Sequence, residues 1–156
     1  MIVLEPESKE LLDMLNEGVA KELHLSIKFM WQRLMVRGVE GATVENILRQ
    51  AAITEMKNAE KLAERLVFID GVPVNKVEPI HIGTSLDEML KEDVQAEEEA
   101  VAIYRHAIQQ AAKEGDFATR LLLEDILTDA EKNLDKFSKL LVGMTKPFTQ
   151  LKLDSE

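Results

Sequence analysis

Cysteine is absent from the 156 residues, which excludes disulfide frameworks, zinc ribbons and thiolate-bound iron–sulfur clusters. Aromatic residues are scarce at 4%, with one Trp and one Tyr, and there are only seven Gly and four Pro, a balance that suits a helical protein. His24, His81 and His106 are the only imidazoles. No apolar run reaches the ~18 residues that a membrane span requires, so no membrane partner is expected. The amino terminus, MIVLEPESKELL, has no basic region ahead of an apolar run and no cleavage pattern, and a cytoplasmic location fits. Positive charge is also in short supply. With 19 Lys and Arg against 29 Asp and Glu, the formal net charge is -10. Phosphate backbones need a basic face, so nucleic acid is not an expected partner. Metal cations suit this balance better, although a modest acidic excess most often serves solubility.

What is abundant points to helices. Leu, Ala, Glu, Lys and Met dominate, all good helix formers, and the length allows one domain with a true core. We expect a single domain over 1–156, with a helical bundle over about 8–142 and a tail over 143–156. The first predicted helix runs from about Ser8 to Arg37, punctuated by Gly38 and Gly41. The second runs from Thr43, its expected N-cap, to Asp70, with Gly71 as the stop. Ser85-Leu86-Asp87-Glu88 reads as a capping box that opens the third, which ends near Gly115. Asp116 caps the fourth, which runs to Val142 before Gly143. The first and last connections are short, so those helix pairs are antiparallel neighbours. The middle connection, from Gly71-Val72-Pro73 to Gly83, is long. Beyond it all, Lys146 to Leu153 either forms a short fifth helix or stays extended.

One constant offset relates Glu22 to Glu97, Glu55 to Ala130 and Asn58 to Asn133, so two helix pairs repeat one plan. The carboxylates of that plan fall on apolar stripes. Glu22 lies in line with Leu11, Leu15, Gly18, Leu25 and Phe29; Glu55 with Leu48, Ala51, Asn58, Leu62, Leu66 and Ile69. Asp93 and Glu97 share a stripe with Leu86, Leu90, Tyr104 and Ile108, while Leu123, Leu127, Ala130, Leu134, Phe137 and Leu141 form the fourth. Three Glu therefore face a core at about one level. A buried carboxylate needs compensation by a metal, a proton, an amide donor or water.

These residues resemble a bacterioferritin of the ferritin-like superfamily, over nearly the whole chain. The likeness is carried by the Glu22 context, Glu55-Met56-Lys57, Gly71-Val72-Pro73, Ile82-Gly83-Thr84-Ser85-Leu86-Asp87-Glu88-Met89-Leu90, Asp93 and Glu97. It implies an all-α, ferritin-like four-helix bundle with one long crossover. It also implies hollow shells that store ferric mineral, and an intrasubunit di-iron ferroxidase site. Many family members bind haem at a two-fold interface through a Met after the second helix's ligand Glu, the place of Met56. Glu22, Glu55 and Glu97 match three iron ligands. Asn58 and Asn133 stand at the two His positions, and Ala130 at the second bridging Glu. Phe29 stands where a Tyr is common. Half of the ligand set is missing, so the resemblance implies a degenerate site and leaves open whether this chain is an enzyme.

A carboxamide oxygen is a weak, neutral ligand and Ala is none, so coupled oxidation at a pair of irons is not expected. Weak binding of one cation by Glu22, Glu55 and Glu97, with Asp93 as a replacement ligand, stands beside a second reading. In that one the carboxylates are structural, hydrogen-bonded to Asn58, Asn133 and water. Glu131 points about 100° away from the stripe. Glu78-Pro79-Ile80-His81 has Glu-x-x-His spacing, but Pro79 bars it from one helical face. Trp31 and Tyr104 read as packing residues with a polar handle. Rubrerythrin-like or oxygenase-like chemistry would need the missing His. The expected function is an intracellular iron-storage shell subunit with an impaired or absent ferroxidase centre, working with a ferroxidase-competent second subunit. The alternative is a silent structural or haem-binding oligomer. Ile27, Met30, Trp31, Met35 and Met56 form a second apolar face on the first two helices, which predicts a dimer at least and a closed shell beyond it.

Overall fold

The computed structural model describes residues 8–145. Four helices make up the fold: α1 (Lys9–Met35), α2 (Gly38–Phe68), α3 (Leu86–Lys113) and α4 (Phe117–Thr145). The α1 helix packs on α2 and α3 on α4, and the two pairs meet through α1 with α3 and α2 with α4. The core is built from the predicted stripes, with Leu11, Leu15, Leu25, Phe29, Leu48, Leu62, Leu66, Leu90 and Phe137 fully buried. Phe29 and Phe137 pack ring to ring, with centroids 5.2 Å apart. On α4 the buried seam runs through Leu123, Ile126, Ala130, Asn133 and Phe137, while Leu127 and Leu134 are only partly covered.

Three boundaries differ from expectation. The first two helices join at a tight corner, with α2 beginning at Gly38 and Arg37 as an N-cap that makes no side-chain bond. Thr43 lies inside the helix and donates its hydroxyl to the Val39 carbonyl. Gly41 permits the corner, because a Cβ there would lie 3.0 Å from the Val36 carbonyl carbon. At its far end α2 stops at Phe68, and Gly71 N–H closes the turn on the Leu66 carbonyl. Gly143 does not end α4, which continues to Thr145. The other signals match the structure. Ser85 accepts from Glu88 N–H and Asp116 from Thr119 N–H, while Glu88 returns its carboxylate to Thr84 rather than Ser85. The proposed fifth helix over 146–153 lies outside the described residues.

Between α2 and α3 the crossover runs along α1, pinned by evenly spaced polar side chains. Asn16 donates to Val72 O and accepts from Val74 N–H, at 2.9 and 3.0 Å. His24 Nδ1 meets Glu78 O at 3.1 Å, and Gln32 Nε2 donates to Ile82 O at 3.0 Å. These bonds satisfy backbone groups that an extended strap would otherwise leave unpaired. Among the described residues no helix is long and apolar enough to cross a membrane.

Candidate functional site

Each helix sends one or more polar groups inward at the middle of the bundle. Glu22 comes from α1, Glu55 and Asn58 from α2, Asp93, Glu97 and Tyr104 from α3, and Asn133 from α4. All are buried, and Ala130 is buried beside them. The structure therefore buries Glu22, Glu55, Asp93 and Glu97 where the stripes put them.

The hydrogen bonds order this group. Asn133 Nδ2 donates to Glu55 Oε1 at 2.7 Å and, more weakly, to Glu97 Oε1 at 3.4 Å. Turned over, the amide would set its oxygen against two carboxyl oxygens, so the donor orientation follows from its neighbours. The Glu55 and Glu97 carboxyl groups lie close enough for each to perturb the other's protonation. Tyr104 donates its hydroxyl to Glu22 Oε1. Asn58 turns away from the Glu residues and donates to Asp129 Oδ2 at 3.2 Å. Of the two Asn donors expected at the carboxylates, then, only Asn133 serves them.

Burial dominates the electrostatics. It lifts Glu55 from 4.5 to about 7, against the opposing pull of its bonds to Glu97 and Asn133. Burial also lifts Glu97 well above its ordinary range, helped by the negative charge of Glu55. Burial of both groups therefore favours a protonated form of the pair. Tyr104 is held in its neutral form by burial and by the nearby charges of Glu55 and Glu97. Asp93, fully buried one turn below Glu97, is raised from 3.8 to about 7 by burial. Gln32 lies beside it but commits its amide to Ile82 O, so neither Asp93 oxygen receives a full hydrogen bond. Protonation is what relieves that carboxyl group.

Tyr104 is the packing residue with a polar handle that the sequence suggests, fully buried with its hydroxyl on Glu22. Its hydroxyl, entering from α3, occupies a polar role near Glu22 that Phe29 cannot fill. Gly18 makes the space: a Cβ there would lie 3.1 Å from Tyr104 Cε1 and 3.2 Å from Leu62 Cδ1. The signal was the Tyr104 register, on the Glu97 stripe and two turns further along α3. Trp31 lies on the second apolar face, as its place outside the core stripe implies, and is half exposed.

On the outer face of α1 and α2, Ser26, Ile27, Met30, Trp31, Ala52, Ile53 and Met56 line an apolar cleft of about 420 Å³. Met56 is 49% exposed there.

A four-helix bundle with one long crossover and inward carboxylates at mid-height defines a ferritin-like protein. The chain belongs to that family: the ferritin-like domain matches residues 12–146. Its similarity is to bacterioferritins in particular. That of Rhodobacter capsulatus is 30% identical over 128 residues, covering 81% of this chain and 79% of the relative. The bacterioferritin of Mycolicibacterium paratuberculosis is 28% identical over 138 residues, covering 88% of this chain and 87% of its own length. That of Brucella melitensis biotype 1 is 34% identical over 88 residues, or 56% of this chain and 55% of the relative.

The donor set does not fit a di-iron centre. No imidazole reaches the core, Ala130 supplies no ligand, and the Asn133 amide directs N–H groups at the oxygens that ions would need. Among the described residues, the only three His, Asp or Glu side chains whose ligand atoms come within 4.8 Å of one another lie elsewhere, at the surface.

Proposed function

We propose that this protein is a subunit of a bacterioferritin-type iron-storage shell whose central site does not oxidise iron. The observation that carries this is the Asn133 amide bonded to both Glu55 and Glu97. An amide and a proton balance the buried charge that metal ions would otherwise balance. Iron is then cargo, oxidised outside this subunit's core by solution chemistry or by a competent second subunit. This subunit supplies wall and acidic surface to the assembly.

Ferrous iron added to the purified assembly in air tests the reading. We expect oxidation at the rate of protein-free buffer, with the ferric iron eluting together with the assembly in size-exclusion chromatography. Iron that precipitates or elutes free would leave only a silent structural oligomer. A fast, saturable oxidation phase would show that the core works as a ferroxidase.

A second reading concerns the outer face, and the Met56 cleft favours it. Half-exposed Met56 and Trp31 beside Met30 and Ile53 suit the burial of a second copy of the chain. A haem suits the chemistry of that cleft: the Met56 thioether would hold its iron and the apolar side chains would cover its ring. Bound there, it would supply one-electron redox chemistry. Titrating haem into the assembly should give a sharp, saturable absorption change in wild type and none in Met56→Leu. Light scattering that found only monomer at micromolar concentration would remove both the interface and the haem.

A further inference from the structure

The surface trio is His81, Glu88 and Glu92, where the crossover reaches the first two turns of α3. His81 does not pair with Glu78, because the structure turns its ring toward α3. His81 Nδ1 lies 2.7 Å from Glu92 Oε1, and Nε2 lies 4.0 Å from Glu88 Oε1. Each carboxylate is anchored through its other oxygen. Glu88 Oε2 accepts from Thr84 N–H at 2.9 Å and from the Thr84 hydroxyl at 2.7 Å. Glu92 Oε2 accepts from Lys28 Nζ at 3.2 Å. One oxygen of each group is thus held still and the other faces the imidazole.

The ring geometry sets the chemistry. A neutral imidazole that donates Nδ1–H to Glu92 carries its lone pair on Nε2. That lone pair faces the uncommitted oxygen of Glu88 across a gap too wide for a hydrogen bond. Two bonds of ~2.1 Å to a shared ion span such a gap with a small closing of the side chains. A carboxylate behind the ring, on the nitrogen away from the metal, is the arrangement that orients metal-bound histidines. Two carboxylates against one ammonium leave the cluster net negative. The His81 side chain is 64% exposed, so water can complete the coordination.

We propose that His81 Nε2 and Glu88 Oε1 form an exchangeable surface site for a divalent transition cation, with Glu92 as the positioning residue behind the ring. One imidazole and one carboxylate select borderline ions such as zinc or ferrous iron over calcium and magnesium. The site is independent of the buried core and of the reading given to it.

Zinc titrated calorimetrically into the full assembly tests the proposal, with cobalt absorption as a second probe. Wild type should bind one zinc per subunit at this site. His81→Ala and Glu88→Gln should each weaken that binding by ~tenfold or more. Glu92→Gln should weaken it by ~10- to 100-fold, as loss of a carboxylate behind a ligand His does. Glu97→Gln, in the core, should leave it unchanged. His81 is exposed, so its loss should not disturb folding, and circular dichroism checks this. The proposal is overturned if wild type binds no zinc, if binding survives both His81→Ala and Glu88→Gln, or if Glu97→Gln abolishes it.

Discussion

Replacing Glu97 with Gln should raise the melting temperature of the metal-free protein at neutral pH, and by an amount that grows with pH. Glu97 is driven well above its ordinary 4.5 by burial and by Glu55, so the native state holds a proton there that the unfolded chain releases. Between 4.5 and the folded-state value, the native state binds more protons than the unfolded chain. Stability therefore falls as pH rises through that window. Below 4.5 both states are protonated and the effect vanishes. Glutamine carries the neutral form without taking up a proton and can still donate to Glu55. Each pH unit within that window should favour the variant by ~1.4 kcal/mol at most. For a domain of this size that is roughly 3–6 °C in Tm per pH unit. Asp93, raised from 3.8 to about 7, and Glu55, raised to about 7, add to the same slope, so wild type should melt higher at pH 5 than at pH 8. The comparison is made with chelator at fixed protein concentration. A variant that melts below wild type at pH 7.5, or a gain that does not change with pH, would show that the pair carries no proton.

Restoring ligands is the second large effect. Asn58→His, Ala130→Glu and Asn133→His together should speed ferrous iron oxidation by ~tenfold or more, the change that ~1.4 kcal/mol of barrier makes. Each substitution alone should do little, because groups that act as a unit lose most of their effect when any one is missing. Asn133→His has a further consequence, since it removes the donor to Glu55 and Glu97. Stopped-flow traces of the three singles and the triple decide the matter. A single variant as fast as the triple would mean that the core needs only one ion.

Much of this core was legible from spacing. Glu22, Glu55 and Glu97 interrupt stripes of Leu, Ala and Phe at helical periods, so their burial followed from the pattern. The bundle and its crossover followed from four long periodic segments around one Pro-containing link. Periodicity says which face a residue occupies and nothing of which partner it finds across the bundle. Asn58 and Asn133 are related by the repeat, yet one donates to Asp129 and the other to Glu55 and Glu97. The Tyr104 hydroxyl meets Glu22 only because Gly18 leaves room for the ring, a contact between distant segments. The start of α2 was missed because Arg37 caps it without a side-chain bond, so the usual cap residue at Thr43 misled. Local spacing relates His81 only to Glu78, whereas the strap pinned by Asn16, His24 and Gln32 carries it to α3.

The Asn133 amide also bears on how the protein comes into being. A centre whose charge is balanced by a metal is finished only when that metal arrives, and its stability follows the supply. Here the balancing group is a side chain already in the polypeptide. On the function proposed above, the chain folds without waiting for a metal. Such a subunit can accumulate during iron starvation as readily as during iron excess, so empty storage capacity can be in place before there is anything to store.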